Sequence, residues 1–273
     1  MEDRAHSKEI LFRTDIEWSG ACLNRMLITS FKFFSALIFI KTSPRFKTSL
    51  RLIIPPLQPM EDFGRDQEVW NVRTHALGVV AGLVGIPVLL AMASLQPEGI
   101  VVDEFTALCI YGLGFLMVFT FSALYHFFET PKRKYALEIW DHFGIYFMIA
   151  GTYTPFVVCY AEPGDKALLL ATVWGLAILG SIFKGFFPAK FRMLSMFLYV
   201  AMGLVMVFAP QSFKAAIPQI QMWWIIAGAV VYIVGLIFYV WALFRHHHAI
   251  WHLFVVGGAL CHYYGILLIY LPE

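Results

Sequence analysis

Charge is scarce in this sequence: Asp, Glu, Lys and Arg supply only 14% of its 273 residues, well short of the roughly 25% usual in a soluble domain. The shortage excludes an ordinary water-soluble fold. Apolar residues make up 60% of the chain and mean hydropathy is +0.71, so polar surface is too limited to cover the apolar side chains. The solvent that remains is lipid, and one membrane domain is the simplest organisation. Cysteine is scarce too. Cys22, Cys109, Cys159 and Cys261 show no CxxC spacing, and the last three lie in apolar runs where a thiol behaves as a small hydrophobe. Neither a disulfide nor a cysteine-held metal cluster is expected. The net charge of +2 carries no argument for a nucleic-acid partner, and none is expected. Also missing is the alternation of polar and apolar residues that barrel strands require.

What the chain has is long apolar stretches. Runs near the roughly 20 residues needed to cross a hydrocarbon core extend approximately over 76 to 95, 105 to 128, 140 to 160, 167 to 187, 194 to 211, 222 to 244 and 249 to 271. Backbone polar groups cannot be left unpaired in lipid, so each run is read as a helix. The fifth and sixth are the least sharply bounded. Breaks fall at Gln96-Pro97-Glu98-Gly99, Glu129-Thr130-Pro131-Lys132, Glu162-Pro163-Gly164-Asp165 and Phe187-Pro188-Ala189-Lys190, all of them helix-stopping punctuation. Loops two, four and six carry Lys132, Arg133, Lys134, Lys184, Lys190, Arg192 and Arg245, against only Lys166 and Lys214 in loops one, three and five. An excess of Lys and Arg marks cytoplasmic loops, which puts the amino terminus inside and the carboxyl terminus outside. The expected fold is an all-α, seven-transmembrane helical bundle. The spacing Gly78-xxx-Gly82 permits close helix approach but also arises by chance in apolar sequence.

Residues 1–59 differ in character, being mixed in charge with an apolar run from Met26 to Ile40 interrupted by Lys32. That run is marginal for a span and lacks a small-residue cleavage site. A cytoplasmic or disordered extension and a true start at Met60 are both open readings. Residues 60–273 form the membrane domain.

Ionisable groups inside spans are costly and mark function. His126 falls near the inner end of span two, Asp141 at the inner start of span three, and His248 and His252 at the inner start of span seven. The i, i+4 pair His248 and His252 puts two imidazoles about 6 Å apart on one helix face, and His126 adds a third nitrogen. Three histidines with an open fourth position suit a catalytic zinc, with Asp141 placed to orient or deprotonate a bound water. Ser122, at i, i+4 from His126, shares its face. The same pattern also allows histidines that only bond neighbouring helices, and an Asp141 that only caps span three. His75 shares the site's depth as an outer partner or an interfacial cap, and His246 and His247 read as interfacial. His142 points about 100° away from Asp141, and His262, ten residues past His252, lies about 15 Å deeper.

The segments Ser122-Ala-Leu-Tyr-His126, Asp141-His-Phe-Gly-Ile-Tyr, Ala150-Gly-Thr-Tyr-Thr-Pro155 and His248-Ala-Ile-Trp-His252 resemble the hemolysin III family of bacterial membrane proteins. That family is grouped with the progestin and adipoQ receptors and the alkaline ceramidases. The resemblance covers about residues 66 to 271. It implies seven helices with Zn2+ near the cytoplasmic face, held at the positions of His126, His248 and His252, an aspartate at Asp141 holding the zinc-bound water, and a serine at Ser122 close by. It further implies hydrolysis of a lipid amide and a part in membrane homeostasis. The expectation is therefore a multi-pass protein of the cell inner (plasma) membrane with membrane lipids as partners. A pore-forming, haemolytic channel is the first alternative, although the continuous polar stripe it needs is not visible in the sequence. A receptor or regulator with structural zinc is the second.

Overall fold

The computed structural model describes residues 63–97, 99–187, 191–240 and 244–271. The extension 1–59, the alternative start at Met60, and Glu98, Pro188, Ala189 and Lys190 lie outside the described residues. Every regular element among those described is a helix: α1 (Arg65–Ser94), α2 (Val102–Phe127), α3 (Pro131–Tyr160), α4 (Pro163–Phe186), α5 (Arg192–Gly203), α6 (Val205–Phe208), α7 (Gln211–Ala216), α8 (Gln219–Val240) and α9 (His247–Leu267). Their starts follow from local chemistry. Asp66 and Glu68 open α1, and Asp103 and Glu104 open α2, where carboxylates oppose the positive end of the helix dipole. Pro131 and Pro163 stand in the first turns of α3 and α4, where a missing N–H costs nothing.

Six of these helices, α1 to α4, α8 and α9, are long and apolar enough to cross a membrane. Two begin well before the expected spans, α1 at Arg65 rather than 76 and α3 at Pro131 rather than 140. Hydropathy marks the hydrocarbon-compatible stretch, whereas the helices continue through more polar sequence beyond it. Asp141 consequently sits ten residues inside α3, and the residue capping that helix is Thr130. The reading of Asp141 as a helix cap is corrected accordingly.

The expected fifth span, 194 to 211, is not one continuous helix. α5 has 12 residues, α6 has four, and α7 starts only after Pro210. Twelve residues reach about 18 Å, short of a hydrocarbon core of about 30 Å. Ala209 is extended, with φ −60° and ψ 152°, as expected of a residue before proline. The break frees backbone groups, and Tyr153 of α3 meets them. Its hydroxyl oxygen accepts from Met206 N at 2.9 Å and lies 2.8 Å from the Gly203 carbonyl, to which it donates. Irregular backbone at membrane depth is tolerated only when satisfied in this way.

α2 and α3 form the most extensive helix pair, followed by α8 with α9 and α1 with α2, while α9 also packs on α1. Two glycines explain how closely α2 and α3 approach. A Cβ on Gly144 would stand 2.7 Å from the Val118 Cα, and one on Gly114 would stand 2.8 Å from the Phe147 carbonyl oxygen. Gly78 and Gly82 act similarly between α1 and α2, against Phe119 and Leu116. Small residues that let backbones close up are the usual means of packing helices in lipid. This packing brings the start of α9, the end of α2 and the polar first halves of α1 and α3 to one end of the bundle.

Candidate metal centre

The three histidines meet. His126 reaches in from the last turn of α2, while His248 and His252 project from the first turns of α9, one helical turn apart. One ligand nitrogen from each lies within 4.8 Å of the other two, and the ring centroids are 4.5 to 5.2 Å apart. His126 and His252 are buried, 3% and 2% exposed, while His248 is partly buried.

Which nitrogens face inward follows from what the others do. His126 Nδ1 lies 2.6 Å from Glu68 Oε2, a short contact suited to an N–H donating to a carboxylate. The 3.4 Å approach of Asn71 Nδ2 to the same Nδ1 would need that nitrogen to accept, and the shorter contact decides against it. Asn71 is then free to donate to Glu68 Oε2, also at 3.4 Å. His252 Nδ1 faces the Thr74 hydroxyl at 3.2 Å and the Asn71 carbonyl at 3.3 Å. The Thr74 hydroxyl proton is directed to the carbonyls of Trp70 and Asn71, so its oxygen accepts from His252. Both rings carry their proton on Nδ1 and turn Nε2 to the common centre. Outer hydrogen bonds of this kind orient metal-ligating histidines. Three imidazole nitrogens within reach of one point, with the outer nitrogens of two of them engaged, fit a metal ion of the imidazole-binding class.

Glu68 is held from outside by Lys134 of α3, whose Nζ donates to Oε1. The same ammonium stands 5.0 Å from the Tyr125 ring centroid, on the helix that carries His126. Glu68, Asn71, Thr74 and His75 make up the polar part of the buried stripe of α1.

Asp141 and Ser122 face one another closely enough to interact, with His126 and Lys184 in the same neighbourhood. Lys184, at the end of α4, is wholly buried. Asp141 and Ser122 line a cavity of about 270 Å³ together with His75, His248 and His252. Its walls are otherwise mostly apolar, and it continues past Tyr153 to His262. Phe63 also lines this cavity, its ring 4.7 Å from that of His248 and 6.0 Å from that of His126.

The remaining histidines divide as their positions dictate. His262 Nε2 is 3.1 Å from the Ile225 carbonyl, a bond between α9 and α8. His142 is buried, and its Nδ1 lies 2.7 Å from the Glu138 carbonyl of its own helix. His246 pairs with Asp66 at 3.6 Å, and His247 Nδ1 is 2.9 Å from the Phe238 carbonyl. Both stay partly exposed at the bundle end. His75 is only 4% exposed, so it is neither an interfacial residue nor a helix cap. Glu68, Thr74, Lys134 and Lys184 are site neighbours that the sequence reading left aside. The signal for two of them was present: Glu68, Asn71 and His75 recur at i, i+3 and i+7, with Thr74 beside them, which is one face of a helix.

Comparison with known proteins gives concordant results. The family model described as Haemolysin-III related matches residues 63–263. The chain is 36% identical over 201 residues to the "Hemolysin-3 homolog" of Bacillus subtilis (strain 168), covering 74% of this chain and 93% of that protein. It is 35% identical over 206 residues to the "Hemolysin-3" of Bacillus cereus, covering 76% and 93%. It is also 29% identical over 204 residues to the "Monocyte to macrophage differentiation factor" of Homo sapiens, covering 72% and 81%. No solved structure gives a significant match.

Proposed function

The chain belongs to the haemolysin-III-related family of membrane proteins, and from that premise and its three-histidine cluster we propose that it is a zinc-dependent hydrolase of a membrane lipid amide. The observation that carries the proposal is the convergence of His126, His248 and His252 to within 4.8 Å at a cavity that Asp141 and Ser122 also line. Zinc is the proposed metal because three neutral imidazoles with an open position are its usual hydrolytic donor set. When bound, zinc polarises a carbonyl and lowers the pKa of water towards about 7.

The chain's own residues supply the rest. Asp141 accepts the proton of the water that adds to the amide carbonyl. The carbon–nitrogen bond then breaks, and that proton passes to the departing amine, giving a fatty acid and an amine. Ser122 and Lys184 orient the Asp141 carboxylate. The apolar part of the cavity takes the acyl chain, whose burial is favourable by about 0.8 kcal/mol per methylene. Lipid arrives laterally, since the protein sits in its substrate.

The same proposal includes seven crossings. In it the broken segment α5 to α7 supplies the fifth, the amino terminus is inside and the carboxyl terminus outside, and the site lies near the cytoplasmic face of the cell inner (plasma) membrane. The Lys and Arg bias of the even-numbered loops supports that orientation. The proposed role is membrane homeostasis.

Metal analysis of the purified protein, paired with mass spectrometry of ceramide-like lipids incubated with it, tests the reading. One zinc per chain, its loss in His252→Ala, and release of fatty acid by the wild type alone are expected. Wild type without stoichiometric metal overturns the proposal. Stoichiometric zinc without turnover of any lipid amide overturns the hydrolase and leaves a receptor or regulator with structural zinc.

A further inference from the structure

His75 presents an unusual combination. It is buried, its ring centroid lies 3.7 Å from that of His252, and it lines the cavity beside His248 and His252. Yet among the described residues neither Nδ1 nor Nε2 has a hydrogen-bond partner. An imidazole carries at least one N–H in either tautomer. Leaving such a donor unpaired in a buried site forfeits a hydrogen bond and its solvation, and an orphan of this kind calls for an explanation. Its polar neighbours on α1 are already engaged, Glu68 with His126 and Lys134, Asn71 with Glu68, and Thr74 with His252 and two carbonyls. On the facing helix, Ser122 is occupied with Asp141. His75 is the member of this stripe that lines the cavity with neither ring nitrogen engaged among the described residues.

We propose that His75 binds substrate, donating its ring N–H to the carbonyl or carboxylate oxygen of a lipid held on the cavity side of the three-histidine cluster. The inference rests on the metal-site reading above and adds a residue to it. A donor placed there stabilises negative charge as it develops on the amide oxygen, the arrangement from which hydrolytic sites derive much of their rate. The alternative is that His75 only fills space, since its ring also meets the Phe119 ring edge-on with centroids 5.4 Å apart. The two roles separate experimentally, because replacing an orphaned polar group by an apolar one of similar size is neutral or stabilising, whereas removing a substrate contact weakens binding.

The test uses the full-length protein in detergent, loaded with cobalt(II) as a spectroscopic stand-in and titrated with acetohydroxamate, a small carbonyl-bearing ligand. Metal content, melting of the metal-free form and hydroxamate affinity are measured for the wild type, His75→Leu and His75→Gln. His75→Leu is expected to bind one cobalt, to melt no lower than wild type without metal, and to bind hydroxamate about 3- to 10-fold more weakly, the effect of one hydrogen bond. His75→Gln, which keeps an N–H, is expected to recover part of that affinity. Unchanged hydroxamate affinity in His75→Leu overturns the inference and leaves a packing role. Loss of cobalt from His75→Leu also overturns it, by making His75 a ligand. A wild type that takes up no cobalt overturns the metal reading and this inference with it, an outcome distinct from the other two.

Discussion

Glu68 lies one turn into α1, where a carboxylate is ordinarily explained by the helix dipole, and only its contact with His126 Nδ1 at 2.6 Å gives it a second role. Outer partners of this kind typically contribute 10- to 100-fold to metal affinity. Glu68→Ala is accordingly expected to weaken zinc binding by about that factor in chelator competition. Glu68→Gln, whose amide oxygen still accepts from Nδ1, should lose less. In the proposed mechanism Asp141 serves the chemistry and not the binding of the metal. Asp141→Asn should retain one zinc by metal analysis while release of fatty acid falls by about 10²- to 10⁴-fold, the usual effect of removing a general base. The i, i+4 pair His248 and His252 was legible because helical periodicity alone puts the two rings on one face. Lys184 was not, because a lysine at the end of an apolar run is commonplace at membrane interfaces, and the helical face shared by Glu68, Asn71 and His75 was legible without showing what it meets.

At the scale of elements, the junction of α5 and α6 depends on a tyrosine from another helix. Tyr153→Phe removes the hydroxyl that meets Met206 N and the Gly203 carbonyl, leaving buried groups unpaired at a cost of about 1–3 kcal/mol. A lower melting temperature in detergent is the expected outcome, and an unchanged one would show that the break is satisfied otherwise. Close packing of α2 on α3 is equally testable. Gly144→Leu drives a side chain into the Val118 backbone, 2.7 Å from where its Cβ would stand, so lower stability and loss of metal together are expected, since α2 carries His126. Gly175→Leu, whose Cβ would meet nothing within 4 Å, is the control and should match wild type. The tight spacing Gly78-xxx-Gly82 was readable as a pattern. What the glycines pack against was not, because that depends on which helix arrives opposite.

At the scale of the molecule, a metal held by the three histidines would join distant parts of the chain, since α2 and α9, which carry them, are separated by about half the sequence. A ligand that binds only the folded form stabilises it by about 2.7 kcal/mol when present at 100 times its Kd. Chelator treatment should therefore lower the melting temperature of the wild type and leave that of His252→Ala unchanged. Composition and apolar run length by themselves determined that the chain is a helical membrane protein, because lipid admits few ways to satisfy a backbone. Spacing by itself paired His248 with His252. Tertiary structure alone decided the rest: that Tyr153 of α3 satisfies the backbone at the break after α5, and that α1 supplies the outer contacts of the site. Each of these depends on contacts between residues far apart in sequence. Local periodicity specifies the face on which a side chain lies, and packing specifies what that face meets.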